Sequence, residues 1–205
     1  MKQRFLEIYQ AHITRPGSAR LLEWMESTDF FTAPASTRFH AAYAGGLLEH
    51  SLNVYEVFMQ KHFEAGTDDM ESAAIVTLLH DLCKAGFYTT EMRNRKNDRG
   101  QWEKVPVYTI DDRFPYGHGE KSVFLIERFM RLKNEEAVAI RWHMGGFDEA
   151  VKGGSFALAH AFEKYPLAVK LHLSDLEATY LHENRDTPSG GAEAGKKPPA
   201  EEKAE

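Results

Sequence analysis

The 205-residue sequence contains a single cysteine, Cys83, so no internal disulfide can staple a small core. That scarcity fits a reducing compartment and removes the disulfide-rich secreted class. Long apolar runs are lacking too: the longest, AAIVTLL at residues 73–79, falls far short of the roughly 20 residues a bilayer-spanning helix needs. The N-terminal MKQRFLEIYQAHITR begins basic but has no apolar stretch of signal-peptide length, so the expectation is a soluble, cytoplasmic protein with no membrane partner. Positive charge is in short supply, with Lys+Arg 25 against Asp+Glu 31 and a net charge of −6. A long nucleic-acid backbone would find no overall basic field, so any phosphate must be met locally. No internal repeat of solenoid period is visible.

What is present is a globular mixture, 42% hydrophobic, 12% aromatic and 27% charged, at a length that suits one domain. Against that ordinary background the sequence carries ten histidines, and imidazole is the commonest metal ligand.

Apolar residues recur at spacings of three and four over residues 2–12 (Phe5, Ile8, Tyr9) and 18–27 (Leu21, Leu22, Met25), which predicts two helices. A third starts after Gly45-Gly46, and Thr67-Asp68-Asp69 is an N-terminal signal for a fourth that runs through SAAIVTLLH almost without charge. A helix apolar nearly all round belongs at the centre of a core. The pattern then changes: FYTTEMR and WEKVPVYTI flank the charged turn RKNDRGQ and predict a β-hairpin. Helical periodicity returns from about Glu120, from Asn134 to His143 and from Pro166 to Leu181. The expected fold is therefore all-α with one inserted hairpin. Residues 1–182 form the domain, and residues 183–205, rich in Pro, Gly, Ala, Lys and Glu, are expected to be a disordered tail.

Four polar residues sit where apolar ones are expected. His80 and Asp81 end the apolar helix in Leu79-His80-Asp81-Leu82-Cys83-Lys84, His50 lies between Leu47 and Val54, and Asp175 is flanked by leucines in Leu173-Ser174-Asp175-Leu176. The plain alternative is a satisfied core histidine beside a capping aspartate. Burying an imidazole next to an ionised carboxylate is nevertheless costly, and a divalent cation compensates by using both as ligands. One metal accounts for all four anomalies together, where separate hydrogen bonds must account for each.

The order His, His-Asp, Asp on three helices resembles the HD superfamily of metal-dependent phosphohydrolases over most of residues 38–180. The flanks narrow the likeness. Arg38-Phe39-His40-Ala41-Ala42-Tyr43-Ala44-Gly45-Gly46-Leu47-Leu48-Glu49-His50-Ser51-Leu52 is similar to the first-ligand segment in the HD domain of bacterial 3′-to-5′ exoribonucleases and their single-domain relatives. His80-Asp81-Leu82-Cys83-Lys84 is similar to the HDxxK form of the motif, and His172-Leu173-Ser174-Asp175-Leu176-Glu177-Ala178 to the last-ligand helix. By that resemblance His50, His80, Asp81 and Asp175 hold a first metal. His118 in Tyr116-Gly117-His118-Gly119 and His143 in Trp142-His143-Met144-Gly145 fit the binuclear branch, with Asp81 bridging. Each neighbours glycine, where backbone can approach a ligand closely; an ordinary capping or interfacial histidine is the alternative. His40 and His172 match family segments without an assigned role.

With no thiolate in this donor set, one or two divalent ions are expected, and Mn, Fe, Ni, Co, Zn and Mg are not distinguished. Asp81 and Lys84 are the expected catalytic residues, with Lys84 also holding a substrate phosphate oxygen. Lys121 and Arg141 are weaker phosphate candidates. The function this implies is hydrolysis of a phosphate ester, in a nucleotide or a nucleic-acid 3′ end, by a metal-activated water. The alternatives are an HD-fold di-iron oxygenase and a non-catalytic nucleotide-binding regulatory module. The expected partner is a nucleotide or short nucleic acid, and the hairpin residues Tyr88, Arg93, Arg95, Trp102 and Tyr108 are candidates for contacting it.

Overall fold

The structure, a computed structural model, describes residues 1–38 and 41–183. Helices α1 (Lys2–His12) and α2 (Ser18–Ser27) pack their periodic apolar residues inward, with Phe5, Leu21 and Met25 fully buried. Helix α3 (Gly46–Val57) begins hard against the preceding turn, because a Cβ on Gly46 would run into the carbonyl oxygen of Ala41. Helix α4 (Met70–Leu79) is capped by Asp69, whose carboxylate accepts from the Ser72 amide at 3.2 Å. From Ser72 to Leu79 every residue of α4 is buried, as its lack of charge predicts.

The hairpin forms between β1 (Tyr88–Lys96) and β2 (Trp102–Ile110), antiparallel, with Tyr88 opposite Ile110 and Lys96 opposite Trp102. Most of its length is exposed. Helices α5 (His118–Glu127) and α6 (Asn134–Trp142) follow, and two short helices, α7 (Glu149–Lys152) and α8 (Ala157–Lys164), occupy a stretch for which the sequence pattern makes no assignment. Helix α9 (Pro166–Glu177) opens on a proline whose fixed φ suits a first helical position. It packs on α6 and α3, while α4 lies against α1, α3, α6 and α9, so the apolar helix is central. The described residues are thus mainly helical with one hairpin, as expected.

The C-terminal boundary differs from expectation in one respect. Helix α9 ends at Glu177 and widens into a π-type turn, Ala178–His182, which closes with the Glu183 N–H donating to the Ala178 carbonyl at 3.0 Å. Glu183, the first residue assigned to the tail by its composition, is only 8% exposed. Composition describes a segment's average and cannot register one side chain held by a distant helix. The rest of that expected tail, like His40, lies outside the described residues.

A polar knot ties the helix starts together at the end of α4 remote from the His-Asp pair. Glu136, fully buried in the first turn of α6, accepts from Arg15 Nη1 at 2.7 Å and Nη2 at 2.8 Å, from Ser72 Oγ at 2.6 Å and from the Lys133 amide at 2.7 Å. Every direction around this carboxylate is used, which is what makes its burial tolerable.

Candidate metal centre

At His80 the α-helix runs out, and Asp81 (φ −100°, ψ 20°) turns the chain into a 3-10 turn, Leu82–Lys84. Consecutive α-helical side chains point about 100° apart; the change of backbone at Asp81 lets both neighbours face one space. His50 comes to that space from α3, Asp175 from α9, His143 from the C-terminal end of α6 and His118 from the first residue of α5.

Glycine brings the last two together, though not as the sequence suggested. A Cβ on Gly119 would meet the carbonyl oxygens of Arg141 and Ile140, so the absence of a side chain lets the start of α5 press on the end of α6. Gly145, at φ +53°, is likewise filled in by the ring of His172, whose Nδ1–H donates to the His143 carbonyl at 2.6 Å. Both glycines serve helix approach, and His172 supports the backbone of His143.

The six residues fall into overlapping groups. His50, His80 and Asp81 form one; Asp81, His118 and His143 form another; and His80, His143 and Asp175 a third, the ligand atoms of each lying within 4.8 Å of one another. Asp81 divides its oxygens. Oδ1 lies 2.8 Å from His118 Nε2 and 3.6 Å from His143 Nε2, while Oδ2 lies 3.5 Å from both His50 Nε2 and His80 Nε2. Asp175 Oδ1 is 3.2 Å from His50 Nε2, and the Nε2 atoms of His50 and His80 are 3.1 Å apart. Metal–nitrogen bonds of roughly 2.1 Å put neighbouring ligand atoms of one ion roughly 3.0–3.4 Å apart, so these separations suit a shared cation.

The outward nitrogens agree. His80 Nδ1–H donates to the Thr77 carbonyl at 2.9 Å and His143 Nδ1–H to the Ile140 carbonyl at 2.7 Å, which fixes Nε2 as the free donor atom on each. His50 Nδ1 is engaged by Glu183 Oε1 at 2.8 Å, and His118 Nδ1 lies 3.3 Å from Cys83 Sγ. His143 Nε2 is buried and has no hydrogen-bond partner, a liability that a cation removes. Donor type, separation and orientation all fit a divalent metal.

Charge follows the same geometry. Burial works to raise the carboxyls of Asp81 and Asp175, but Lys84 and His80 around Asp81, and His50 beside Asp175, hold both well below the usual carboxylate range. His80 is lowered to about 3, chiefly by burial. Burial also works to lower His50 and His118, yet Glu183 and Asp175 raise His50 to about 10, and Cys83 and Asp81 raise His118 to about 10. The second proton that these imidazoles hold against burial is the one a cation would displace.

The inner wall is closed, with His50, His80, Asp81 and His143 almost fully buried, and it opens at His118, whose side chain is 30% exposed. Lys84 Nζ lies 2.6 Å from Asp81 Oδ2, and Asp81 outweighs burial to raise that ammonium above its ordinary range. The two weaker phosphate candidates are spent elsewhere: Lys121 pairs with Asp112 at 2.7 Å, and Arg141 with Asp148 at 2.7 Å and with Glu120. Sequence reasoning missed both Glu183 behind His50 and the Cys83 thiol behind His118.

The hairpin divides. Tyr88 OH donates to the Ala35 carbonyl at 3.1 Å, and Tyr88 and Tyr108 line a cleft of about 400 Å³ with Asp29, Thr32 and Thr89. Arg95 and Trp102 are exposed at the far end, seven and eight register steps from Tyr88, roughly 25 Å along the strand. Tyr88, at its base, is close enough to Lys84 and Asp81 to interact with them electrostatically.

Among the described residues no helix is long and apolar enough to cross a membrane. No curated protein and no solved structure matches the chain. The family model of the HD domain matches residues 47–189, which takes in the segments carrying all six clustered residues and Glu183. The chain belongs to the HD-domain family, and so to a superfamily of metal-dependent phosphohydrolases.

Proposed function

We propose that this protein hydrolyses a phosphate ester of a nucleotide or of a nucleic-acid 3′ end at a centre held by His50, His80, Asp81 and Asp175 on one side and His118 and His143 on the other. The observation that carries the reading is the divided carboxylate of Asp81, with Oδ1 toward His118 and His143 and Oδ2 toward His50, His80 and Lys84. When bound, divalent ions supply Lewis acidity at a phosphoryl oxygen and lower the pKa of a water. The chain's own residues do the rest. The phosphate ester enters past His118, the exposed edge, and Lys84 offers a fixed cation beside Asp81 for a non-bridging oxygen as charge builds there. A water oxygen forms the new bond to phosphorus, the ester P–O bond breaks, and the proton lost by the water ends on the departing oxygen.

Lys84 favours hydrolysis over oxygen activation, because a permanent cation beside the ligand carboxylate suits an anionic phosphate. The Tyr88–Tyr108 cleft at the hairpin base is the proposed selectivity surface, in place of the distal Arg95 and Trp102. A small nucleotide fits the acidic net charge better than a long RNA. The narrower kinship with exoribonuclease HD domains belongs to this proposal: it rests on Arg38–Leu52, of which only residues 47–52 fall within the matched range.

Lys84→Ala is expected to lower kcat on the best substrate of a nucleotide and phosphodiester panel about 100-fold while leaving metal content at the parent's level. Unchanged kcat at parental metal content would remove Lys84 from the reaction.

A further inference from the structure

Behind His50, on the side away from the cluster, lies a carboxylate that nothing in the family motif anticipates. Glu183 Oε1 is 2.8 Å from His50 Nδ1, both side chains are 1% exposed, and Asn53 Nδ2 donates to the same oxygen at 3.2 Å. An ionised carboxylate only accepts, so Nδ1–H donates to Glu183, and Nε2 is the nitrogen that faces Asp175, His80 and Asp81 and would give up its own proton to a cation. Asn53 follows His50 by three residues on α3, which sets the two side chains on one helix face. Glu183 is held in place by its own backbone, since its N–H closes the π-type turn on Ala178.

The supports of His80 and His143 are local. His80 and His143 each donate to a carbonyl three residues earlier in the same stretch of helix. Glu183 instead reaches His50 across 133 residues of sequence. A carboxylate behind a ligating imidazole fixes its tautomer, orients the ring and raises its basicity.

We propose that Glu183 is a positioning residue for the metal centre, acting through His50, and that it couples the turn after α9 to metal occupancy. The proposal rests on His50 being a ligand. Coupling of this kind is reciprocal: metal binding protects Ala178–Glu183 from hydrogen exchange, and loss of the Glu183 contact weakens the metal.

The test uses the full chain with Mn²⁺ as probe, titrated against a competing indicator, in the parent and in Glu183→Ala, Glu183→Gln and His50→Ala. Glu183→Ala is expected to bind Mn²⁺ about 10- to 100-fold more weakly, and Glu183→Gln, which keeps an acceptor, about 3- to 10-fold more weakly. In Zn²⁺-loaded, ¹⁵N-labelled protein the parent His50 ring should show a protonated Nδ1 and a metal-bound Nε2, and Glu183→Ala should lose that fixed pattern. Parental affinity and ring pattern in Glu183→Ala, alongside lost affinity in His50→Ala, would overturn the positioning role and leave the metal centre standing. Parental affinity in His50→Ala would overturn the reading on which it rests. If Glu183→Ala does not fold, Glu183→Gln decides, and parental affinity there overturns the proposal.

Discussion

Asp81→Ala is expected to abolish hydrolysis, by about 1,000-fold or more on the best substrate, and to release bound metal. The size follows from Asp81 joining two of the three ligand groups and Lys84: Oδ1 faces the His118 and His143 group, Oδ2 the His50 and His80 group, and Oδ2 again Lys84. Neither flanking side chain can stand in, because Leu79 at the end of α4 and Leu82 in the turn after it are buried and apolar. Lewis acidity and water activation together supply several kcal/mol of transition-state stabilisation, and each 1.36 kcal/mol is tenfold in rate, so losing both is worth about three decades. Asp81→Ala also leaves the buried Lys84 ammonium without its anion, which destabilises the turn. Asp81→Asn keeps the shape, and it too should lose at least about 100-fold. Parental kcat in either variant would contradict the proposed reaction.

Glu136→Ala is expected to be the most damaging single change far from the centre, costing about 3–5 kcal/mol. Removing this carboxylate leaves the guanidinium of Arg15, the hydroxyl of Ser72 and the amide of Lys133 without their shared acceptor. Arg15 still keeps Glu71 at 3.2 Å, so part of its charge stays compensated. The loss is a large share of the roughly 5–15 kcal/mol that holds a typical domain, and it should lower Tm by about 10 °C. Urea titration checks this, and a midpoint shift worth less than about 1 kcal/mol would show that the knot is dispensable.

These two sites were unequally legible in the sequence. His50, His80, Asp81 and Asp175 announce themselves because each is a polar group in an apolar setting, and the helices around them follow from spacings of three and four. His118 and His143 stand in helix-terminal, glycine-flanked contexts, so only the family resemblance singles them out. Glu136 is invisible as a special residue: a glutamate in a first helical turn reads as an ordinary favourable charge, and its burial comes from Arg15, which is 121 residues earlier. Glu183 is hidden for a similar reason, since its neighbours have the composition of a tail while its contact is with α3. The hairpin is legible as a hairpin, but its reach is not. Register and strand rise separate Tyr88 and Tyr108 at the base from Arg95 and Trp102 at the tip, and the sequence alone treats all of them as equivalent.

If the converging imidazoles and carboxylates are a metal centre, chelator-treated protein takes up divalent metal and Asp81→Ala does not. The most direct measurement is the number of Mn²⁺ equivalents bound, by equilibrium dialysis with elemental analysis, to chelator-treated parent and to Asp81→Ala. The parent should bind one or two equivalents, with phosphate-ester hydrolysis returning in step, and Asp81→Ala should bind essentially none. A parent that binds no Mn²⁺, or an Asp81→Ala variant that binds as many equivalents as the parent, would contradict the account.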